Sequence, residues 1–190
     1  LENIKKQGHG SVLEHANYTL LYEGVSRSLT HELVRHRAGF AYSQLSQRYV
    51  DEKDASFVVP PAVAGDEALE SAWRSQVDGA LASYIALVEQ LMERYAWVGD
   101  KVHRRKMARE AARGVLPNST ETKIVVTANA RAWRTMLELR SSEGAELEIR
   151  RLAVATLRLL AAEAPGFFSD FEIYEGEDRR EAARVAFHKV

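Results

Sequence analysis

The sequence contains no cysteine, and this absence excludes several kinds of chemistry. Without thiols the chain can form no disulfide bond, offer no thiolate to a metal ion and use no thiol as a nucleophile. The sequence also lacks any apolar run of the roughly 18 residues that a membrane-spanning helix needs, and it shows no signal peptide. We therefore expect a cytoplasmic protein with no membrane partner.

The sequence likewise lacks a strong net charge. Its formal net charge is -1 at pH 7, so no global field favours a nucleic-acid partner. With 190 residues, of which 46% are hydrophobic and 28% charged, the composition is typical of a soluble globular protein with one core. The chain has no internal repeat, low-complexity tract or long linker. We predict a single domain over residues 1–190.

The hydrophobic pattern predicts an α+β fold with more helix than strand. Stretches rich in Val, Thr, Tyr and Phe predict strands at residues 16–25, 56–63 and 121–130. Apolar residues spaced by three and four predict a long helix over residues 65–97 and shorter helices over residues 26–37, 102–115, 131–144 and 145–168. The stretch after residue 37 is interpreted as an irregular loop, and the charged tail 174–190 is compatible with a further helix. We expect an antiparallel or mixed sheet beside a long helical layer.

An arginine-rich stretch stands out against this near-neutral background. Residues 35–49, RHRAGFAYSQLSQRY, hold Arg35, Arg37 and Arg48 with two serines and two tyrosines, and they contain no Asp or Glu. Arginine presents fixed donors that fit phosphate oxygens, and hydroxyl and amide groups also suit an anion. We interpret the stretch as a pocket for a phosphorylated small molecule, with a solvated surface run as the alternative. His36, between two arginines, is expected to be neutral.

The segment GHGSVLEH, residues 8–15, has two histidines and a glutamate at a density that metal sites also show. No second set of ligands follows elsewhere in the sequence, so we predict no metal site. Small residues beside a histidine and a serine instead suit close approach of the backbone to a cofactor. The sequence has neither a glycine-rich dinucleotide fingerprint nor a Walker loop, so a bound nucleotide must be held by arginines and a loop.

Two further groups of arginines lie outside that stretch. On one predicted helix, Arg109, Glu110 and Arg113 have the three- and four-residue spacings of pairs that stabilise an exposed helix, and we interpret them in that way. Asn129 and Arg131 directly follow the clearest predicted strand, a position where loops commonly carry functional side chains.

Six motifs, in the same order, resemble those of the flavin-dependent thymidylate synthases. The signature is Arg-His-Arg followed by a Ser-x-x-Ser-x-Arg-Tyr loop. The supporting segments are SVLEH, SRSLTHELVRHR, AARGVLPNSTET, IVVTANARAWR and ELR. The similarity runs over nearly the whole chain, from GHGSVLEH to APGFFSDFE, and on these motifs the chain is identified as a member of that family.

The resemblance implies an enzyme that methylates dUMP to dTMP, with methylenetetrahydrofolate as the carbon donor and FAD reduced by NADPH as the hydride source. The family uses no cysteine nucleophile, which agrees with the absence of cysteine here. The resemblance also implies a homotetramer with shared active sites. Family members carry a further segment before these motifs, and we expect that segment to be missing here. Two alternatives remain: a flavin- and nucleotide-binding homologue with weak synthase activity, and a nucleic-acid-binding module, which the net charge disfavours.

The resemblance also assigns roles position by position. The positions that match flavin contacts are Ser11, Arg35, His36, Arg37, Gln44, Asn129, Arg131 and Thr135. The positions that match the dUMP site are Glu32, Arg35, Ser46, Gln47, Arg48, Arg113 and Arg140. Arg35 and Arg48 correspond to phosphate ligands, and His9 to a histidine near the flavin and folate. Arg140 is the catalytic candidate, because a cation beside the uracil ring stabilises the negative charge that develops as N3 loses its proton.

Three departures from the family pattern are expected to reduce activity. Eight residues separate Arg-His-Arg from the second loop serine, where seven are usual. We expect Gly39 to absorb the extra residue, because glycine tolerates unusual backbone angles. Thr135 stands where relatives commonly have His or Asn, and Gly144 stands where a His is usual.

Overall fold

Helices outweigh strands in the computed structural model, which describes residues 1–188 and 190 and is 49% helical and 19% strand. The α-helices are α1 (Glu2–Lys6), α2 (Arg27–Leu33), α3 (Glu67–Arg94), α4 (Lys101–Ala112), α5 (Ala130–Arg140), α6 (Leu147–Glu163) and α7 (Pro165–Phe168). The strands are β1 (Asn17–Ser26), β2 (Phe40–Gln44), β3 (Glu121–Asn129), β4 (Phe171–Glu175) and β5 (Glu181–Val185). Two 3-10 helices cover Gly10–His15 and Arg113–Val115. The prediction of an α+β fold with more helix than strand is confirmed.

Contacts between residues group the chain into two compact units. The first unit holds residues 1–21, 29–43 and 125–190, and the second holds residues 22–28 and 44–124. The first unit therefore contains α5 and α6, and the second contains α3 and α4. The assignment of the whole chain to one family domain stays a prediction.

The three-stranded sheet has the strand order β1-β3-β2. Along β3, Ile124, Val126 and Ala128 are buried, whereas Lys123 and Val125 are exposed. One face of the strand therefore packs against the core while the other does not, as the two-residue period of a strand requires. β1 and β3 match two of the predicted strands.

Pairs of helices form the core of each unit. In the first unit α5 packs against α6, and the two helices bury Trp133, Met136, Leu137, Ile149 and Leu157. In the second unit α3 packs against α4. Both of these helices begin after an aspartate whose side chain accepts hydrogen bonds from backbone N–H groups of the first turn. The long helix predicted over residues 65–97 is present as α3.

The C-terminal tail forms a hairpin instead of the helix that its charge pattern suggested. β4 pairs antiparallel with β5, with Phe171 opposite Val185. Three apolar side chains of β5 are buried, so packing outweighs the preference of alanine for a helix. Lys189, which also falls in the predicted tail helix, lies outside the described residues.

Two extended segments differ from their predictions. Residues 56–63 form one isolated bridge, between Phe57 and Thr120, and this stretch contains no extended strand. Two adjacent prolines explain this, because each removes a backbone donor. Part of the predicted irregular loop is instead strand β2, where Phe40 and Tyr42 stack on one face with ring centroids 5.6 Å apart.

Helix α5 also ends earlier than predicted. Its last helical residue is Arg140 and its C-cap is Ser141, so Gly144 does not close it. Among residues 1–188 and 190, no helix combines the length and apolar character needed to cross a membrane.

Candidate functional site

A cavity of about 450 Å³ in the first unit brings together residues from distant parts of the sequence. Five positions that the sequence assigns to the flavin line it: His36, Arg37, Asn129, Arg131 and Thr135. The loop after α2 contributes the first two, and the start of α5 contributes the others. The Arg-His-Arg and Asn-x-Arg segments therefore share one cavity.

Gly39 forms part of the wall of this cavity. Its φ is +76°, a value that residues with a side chain rarely adopt. It lies in a turn in which the Phe40 N–H donates to the Arg37 carbonyl at 3.2 Å. A Cβ at this position would lie 2.9 Å from both Ala132 Cβ and Asn129 Nδ2. The turn therefore places the loop directly against the start of α5, and the expectation that Gly39 absorbs the extra residue stays a prediction.

Phe40 gives the cavity an aromatic side that the sequence reasoning missed. Its ring meets Trp133 edge to face, with centroids 5.3 Å apart. The neighbouring Tyr42 fixes the strand, because its single hydroxyl proton lies within hydrogen-bond reach of two carbonyls, with the hydroxyl oxygen 2.9 Å from Leu33 O and 2.7 Å from His36 O. The alternate spacing of Phe40 and Tyr42, typical of one strand face, is the signal that could have identified this wall.

The first turn of α5 positions Asn129 and Arg131. The Asn129 Oδ1 accepts a hydrogen bond from the Ala132 N–H at 2.9 Å, so this side chain caps the helix. Arg131 Nη1 pairs with Glu14 Oε1 at 2.6 Å, and Glu14 is another lining residue that the sequence reasoning missed. A Cβ at Gly10 would lie 2.7 Å from Arg131 Nε, so only glycine permits this close approach.

Arg140, His36 and Glu32 form one polar cluster in the first unit. Arg140 Nε donates to His36 Nε2 at 3.0 Å, and Arg140 Nη1 donates to Glu32 Oε2 at 2.7 Å. His36 Nε2 must therefore lack a proton, which makes the imidazole neutral with its proton on Nδ1. Burial, and secondly the charge of Arg140, lower the pKa of His36, in agreement with the expected neutral form.

The lowered pKa of His36 predicts a pH dependence of stability. The unfolded state binds this proton below a pH of about 6.5 while the folded state resists it, so stability falls as pH drops through that value. We expect His36→Gln, whose amide can still accept from Arg140, to reduce the loss by up to about 1.4 kcal/mol per pH unit. Urea unfolding between about pH 7.5 and pH 5.5 measures this difference. His103→Gln, the same substitution at an exposed position, serves as the control. Equal pH slopes for His36→Gln and the unmodified protein would contradict the assignment.

The second unit contains the Arg48 loop, residues 45–51, which follows β2. The Arg48 N–H donates to Ser46 Oγ at 3.3 Å, and Arg27 Nη2 donates to the Leu45 carbonyl at 2.9 Å. The loop backbone is therefore fixed by its own serine and by an arginine from the start of α2.

Helix α4 holds the other side of the Arg48 loop. Arg48 Nη2 lies 3.0 Å from Glu110 Oε2, and Arg109 Nη2 lies 2.7 Å from Asp51 Oδ2. The interpretation that Glu110 and Arg113 stabilise their own helix as a pair is wrong, because Glu110 instead pairs with Arg48, far away in the sequence. Spacing along one helix gives no information on such partners.

A buried polar group accompanies this loop in the second unit. Gln47 and Glu52 are only 6% and 7% exposed. Burial raises the pKa of Glu52, although the Arg27 charge and a hydrogen bond with Gln47 act against it. Burial, and in addition the charge of Arg113, lower the pKa of Arg27 despite Glu52. Arg27 thus interacts electrostatically with both Glu52 and Arg113, and it is a candidate that the sequence reasoning missed.

The remaining predicted positions are divided between the units. Ser11 and Arg35 are exposed and lie outside the lining of the cavity, and Gln44 belongs to the second unit. Among the dUMP positions, Glu32, Arg35 and Arg140 belong to the first unit, and Ser46, Gln47, Arg48 and Arg113 belong to the second. The binding roles of all these residues stay predictions.

The chemistry of the cavity fits a flavin dinucleotide. Arg37 and Arg131 offer guanidinium groups suited to a pyrophosphate, and Phe40 offers an apolar ring face. Arg37 has no ion-pair partner within residues 1–188 and 190, so its charge is available to a ligand. The same part of the chain contains no group of three His, Asp or Glu side chains that could hold a metal ion.

Comparison with known proteins gives matches over most of the chain. The profile of the family described as thymidylate synthase complementing protein matches residues 1–166. The flavin-dependent thymidylate synthase of Mycobacteroides abscessus is 53% identical over 183 residues, which cover 96% of this chain and 73% of that relative. The flavin-dependent thymidylate synthases of Mycobacterium sp. strain JLS and Mycobacterium tuberculosis strain H37Ra are each 52% identical, with the same shares covered.

Proposed function

The chain belongs to the thymidylate synthase complementing protein family, and from this membership we propose its reaction. It is a flavin-dependent thymidylate synthase, a methyltransferase that converts dUMP to dTMP. FAD is its cofactor and supplies the hydride when bound and reduced, with NADPH and methylenetetrahydrofolate as co-substrates. The observation that carries the proposal is the convergence of the Arg-His-Arg and Asn-x-Arg segments on one cavity.

The residues that line the cavity support separate roles in flavin binding. Arg37 and Arg131 bind the phosphates, because their guanidinium groups stay charged and offer paired donors. His36, Asn129 and Thr135 contact the rest of the cofactor. The family positions Ser11, Arg35 and Gln44 complete the proposed flavin contacts.

The proposed dUMP contacts are the positions that the family resemblance assigns to this nucleotide. Arg35 and Arg48 bind the phosphate, and Glu32, Gln47 and Arg113 contact the nucleotide. Ser46 orients the nucleotide and is not a nucleophile, because a hydroxyl needs an adjacent general base and, among residues 1–188 and 190, its side chain is hydrogen-bonded only to the Arg48 N–H. Arg140 stabilises the negative charge that develops on the uracil ring.

The family membership also supports several broader proposals. The enzyme acts in the cytoplasm as a homotetramer with shared active sites, and its partners are small molecules, not nucleic acids or membranes. The net charge of -1 supports the last point. The alternative of a weakly active homologue has no support in the comparisons. The expectation that Thr135, Gly144 and the longer loop slow the reaction stays a prediction.

Formation of dTMP by the purified protein tests the reaction. We expect dTMP from dUMP only when FAD, NADPH and methylenetetrahydrofolate are all present. Because the chain has no cysteine, prior treatment with iodoacetamide should leave this activity intact, whereas a contaminating cysteine-dependent synthase would be inactivated. Saturable binding of FAD without dTMP formation would refute the proposed reaction while preserving the proposed cofactor.

The phosphate role of Arg48 makes a separate prediction. Arg48→Ala should weaken dUMP binding by about 10- to 150-fold, because a hydrogen bond to a charged group contributes roughly 1.5–3 kcal/mol. Binding of deoxyuridine, which has no phosphate, should change little. Isothermal titration calorimetry on the flavin-loaded protein measures both ligands. Arg105→Ala, an exposed charge on α4, serves as the control, and equal losses for the two ligands in Arg48→Ala would reject the phosphate role.

A further inference from the structure

The guanidinium group of Arg48 is held by a carboxylate of helix α4. Arg48 Nε donates to Glu110 Oε2 at 3.0 Å, and Arg48 Nη2 lies 3.0 Å from the same oxygen. These two nitrogens form one edge of the guanidinium group, which is an edge that a phosphate uses in paired hydrogen bonds. Glu110 therefore occupies donors that the proposed phosphate contact needs.

The backbone of the Arg48 loop is held separately from this side chain. Arg109, next to Glu110 on α4, donates from Nη1 to the Tyr49 carbonyl at 2.8 Å and from Nη2 to Asp51 at 2.7 Å. Arg109 is largely buried, with 15% of its side chain exposed, whereas the Arg48 and Glu110 side chains are 37% and 47% exposed. Arg109 thus fixes the loop backbone, while Glu110 contacts only the exposed guanidinium end of Arg48.

An exposed ion pair of this kind is easily exchanged. Such pairs contribute only about 0.2–1 kcal/mol, because water screens the charges and both side chains lose freedom. Glu110 can therefore keep Arg48 extended beside the loop without preventing its transfer to a stronger anion. A phosphate that arrives must nevertheless displace the carboxylate or share the guanidinium with it, and two anions at one cation repel each other.

We propose that Glu110 is a positioning residue that holds Arg48 in the free enzyme and competes with the nucleotide phosphate for it. The proposal rests on the proposed function, since it takes Arg48 to be a phosphate ligand. The competition lowers the affinity for dUMP. It lowers the affinity for dTMP equally, because substrate and product carry the same phosphate, and it therefore favours release of the product.

Replacement of Glu110 by glutamine tests the competition. Glutamine keeps the shape and an acceptor oxygen but removes the charge, so Glu110→Gln should tighten both dUMP and dTMP by about twofold to fivefold. Deoxyuridine affinity should stay unchanged. The gain should shrink as salt is raised from about 50 to 500 mM, because the charges are exposed. In steady-state assays KM for dUMP should fall without a rise in kcat. These results are measured by calorimetry and dTMP formation on the flavin-loaded protein.

A double-mutant cycle tests whether Glu110 changes dUMP affinity through Arg48. Glu110→Gln should have no effect on dUMP affinity in an Arg48→Ala background, because Glu110 acts through Arg48. Glu93→Gln on α3 makes the same charge change at an exposed position without an Arg48 contact and should leave dUMP affinity unaltered.

Three outcomes would overturn the inference. Unchanged or weaker dUMP binding in Glu110→Gln would exclude competition, and a gain that survives in the Arg48→Ala background would exclude action through Arg48. Loss of dUMP and deoxyuridine affinity to the same degree in Arg48→Ala would remove the premise. That last outcome concerns the site assignment, and the dTMP-formation assay then decides independently whether the proposed reaction also fails.

Discussion

We expect replacement of Asp170 by alanine to lower the free energy of unfolding by about 3–5 kcal/mol, because it leaves two buried cations without their shared carboxylate. Lys5 Nζ and Arg134 Nη1 contact Asp170 Oδ1 at 2.7 and 2.6 Å, and Arg134 Nη2 contacts Oδ2 at 2.8 Å. The side chains of Lys5 and Arg134 are each 3% exposed, so water cannot replace the lost partner. Denaturant unfolding measured at one fixed protein concentration tests this effect.

The pH dependence of the same contact has a defined sign. Although burial opposes it, hydrogen bonds from Arg134 and Lys5 lower the pKa of Asp170 below its usual 3.8. The contribution is therefore fully present above a pH of about 4 and is lost as the pH falls toward the lowered pKa. The Asp170→Ala effect should accordingly be constant near neutral pH.

A matched control separates this buried cluster from an ordinary ion pair. Glu181→Ala removes the partner of Arg158 in a pair whose side chains are 54% and 52% exposed, and it should cost far less stability than Asp170→Ala because water screens an exposed pair. If Asp170→Ala does not fold, Lys5→Met removes one cation and leaves the Arg134–Asp170 pair, so it should be tolerated better. A cost for Asp170→Ala no larger than that of Glu181→Ala would show that the cluster does not stabilise the fold.

Local sequence patterns predict those elements whose faces differ in polarity. The two-residue alternation in β3 arises from burial of one face, and the three- and four-residue spacing in α3 includes its buried residues Val77 and Tyr84. Both elements lie where the patterns indicate. The hairpin of β4 and β5 lacks such a pattern, because its stability depends on pairing and on contacts with other elements. The cluster of Lys5, Arg134 and Asp170 could not be predicted from the sequence either, because it joins residues that are far apart in the chain.

The contacts of the candidate site could likewise be predicted only in part from the sequence. The types and order of the residues suffice to associate Arg37 with Arg131, because the motifs of the family carry both segments. They do not predict that Glu110 contacts Arg48 or that Glu14 contacts Arg131, since an acidic residue far away in sequence gives no sign of its partner. The wall made by Phe40 depends on strand β2. The glycine and arginines of this stretch favoured its interpretation as an irregular loop, so the strand was not predicted.

The cluster around Arg140 predicts the largest effect on catalysis. Glu32 accepts a hydrogen bond from Arg140 Nη1, and His36 accepts one from Arg140 Nε. The guanidinium plane is therefore fixed from two sides at the end of α5. Within residues 1–188 and 190, no side chain or backbone group accepts from Nη2, and 23% of the side chain is exposed. This leaves the two N–H donors of Nη2 already oriented, and in the proposed role they stabilise the uracil ring as it becomes anionic, with no reorganisation needed at that moment.

We therefore expect Arg140→Gln to lower kcat for dTMP formation by about 10²–10³-fold, since removal of one donor to a developing anion costs roughly 2.7–4 kcal/mol. Affinity for dUMP should fall much less, because the phosphate contacts remain, and the flavin should stay bound. The pKa of His36, followed by NMR, should rise, because the Arg140 charge contributes to lowering it. Arg140→Lys should recover only part of kcat, because lysine restores the charge without the planar fork. Arg158→Gln, which removes an exposed arginine of the same unit, should leave all four measurements unchanged. A kcat for Arg140→Gln within threefold of the unmodified enzyme would exclude the catalytic role, and a loss of kcat that accompanies loss of the flavin would reassign Arg140 to holding the cavity together.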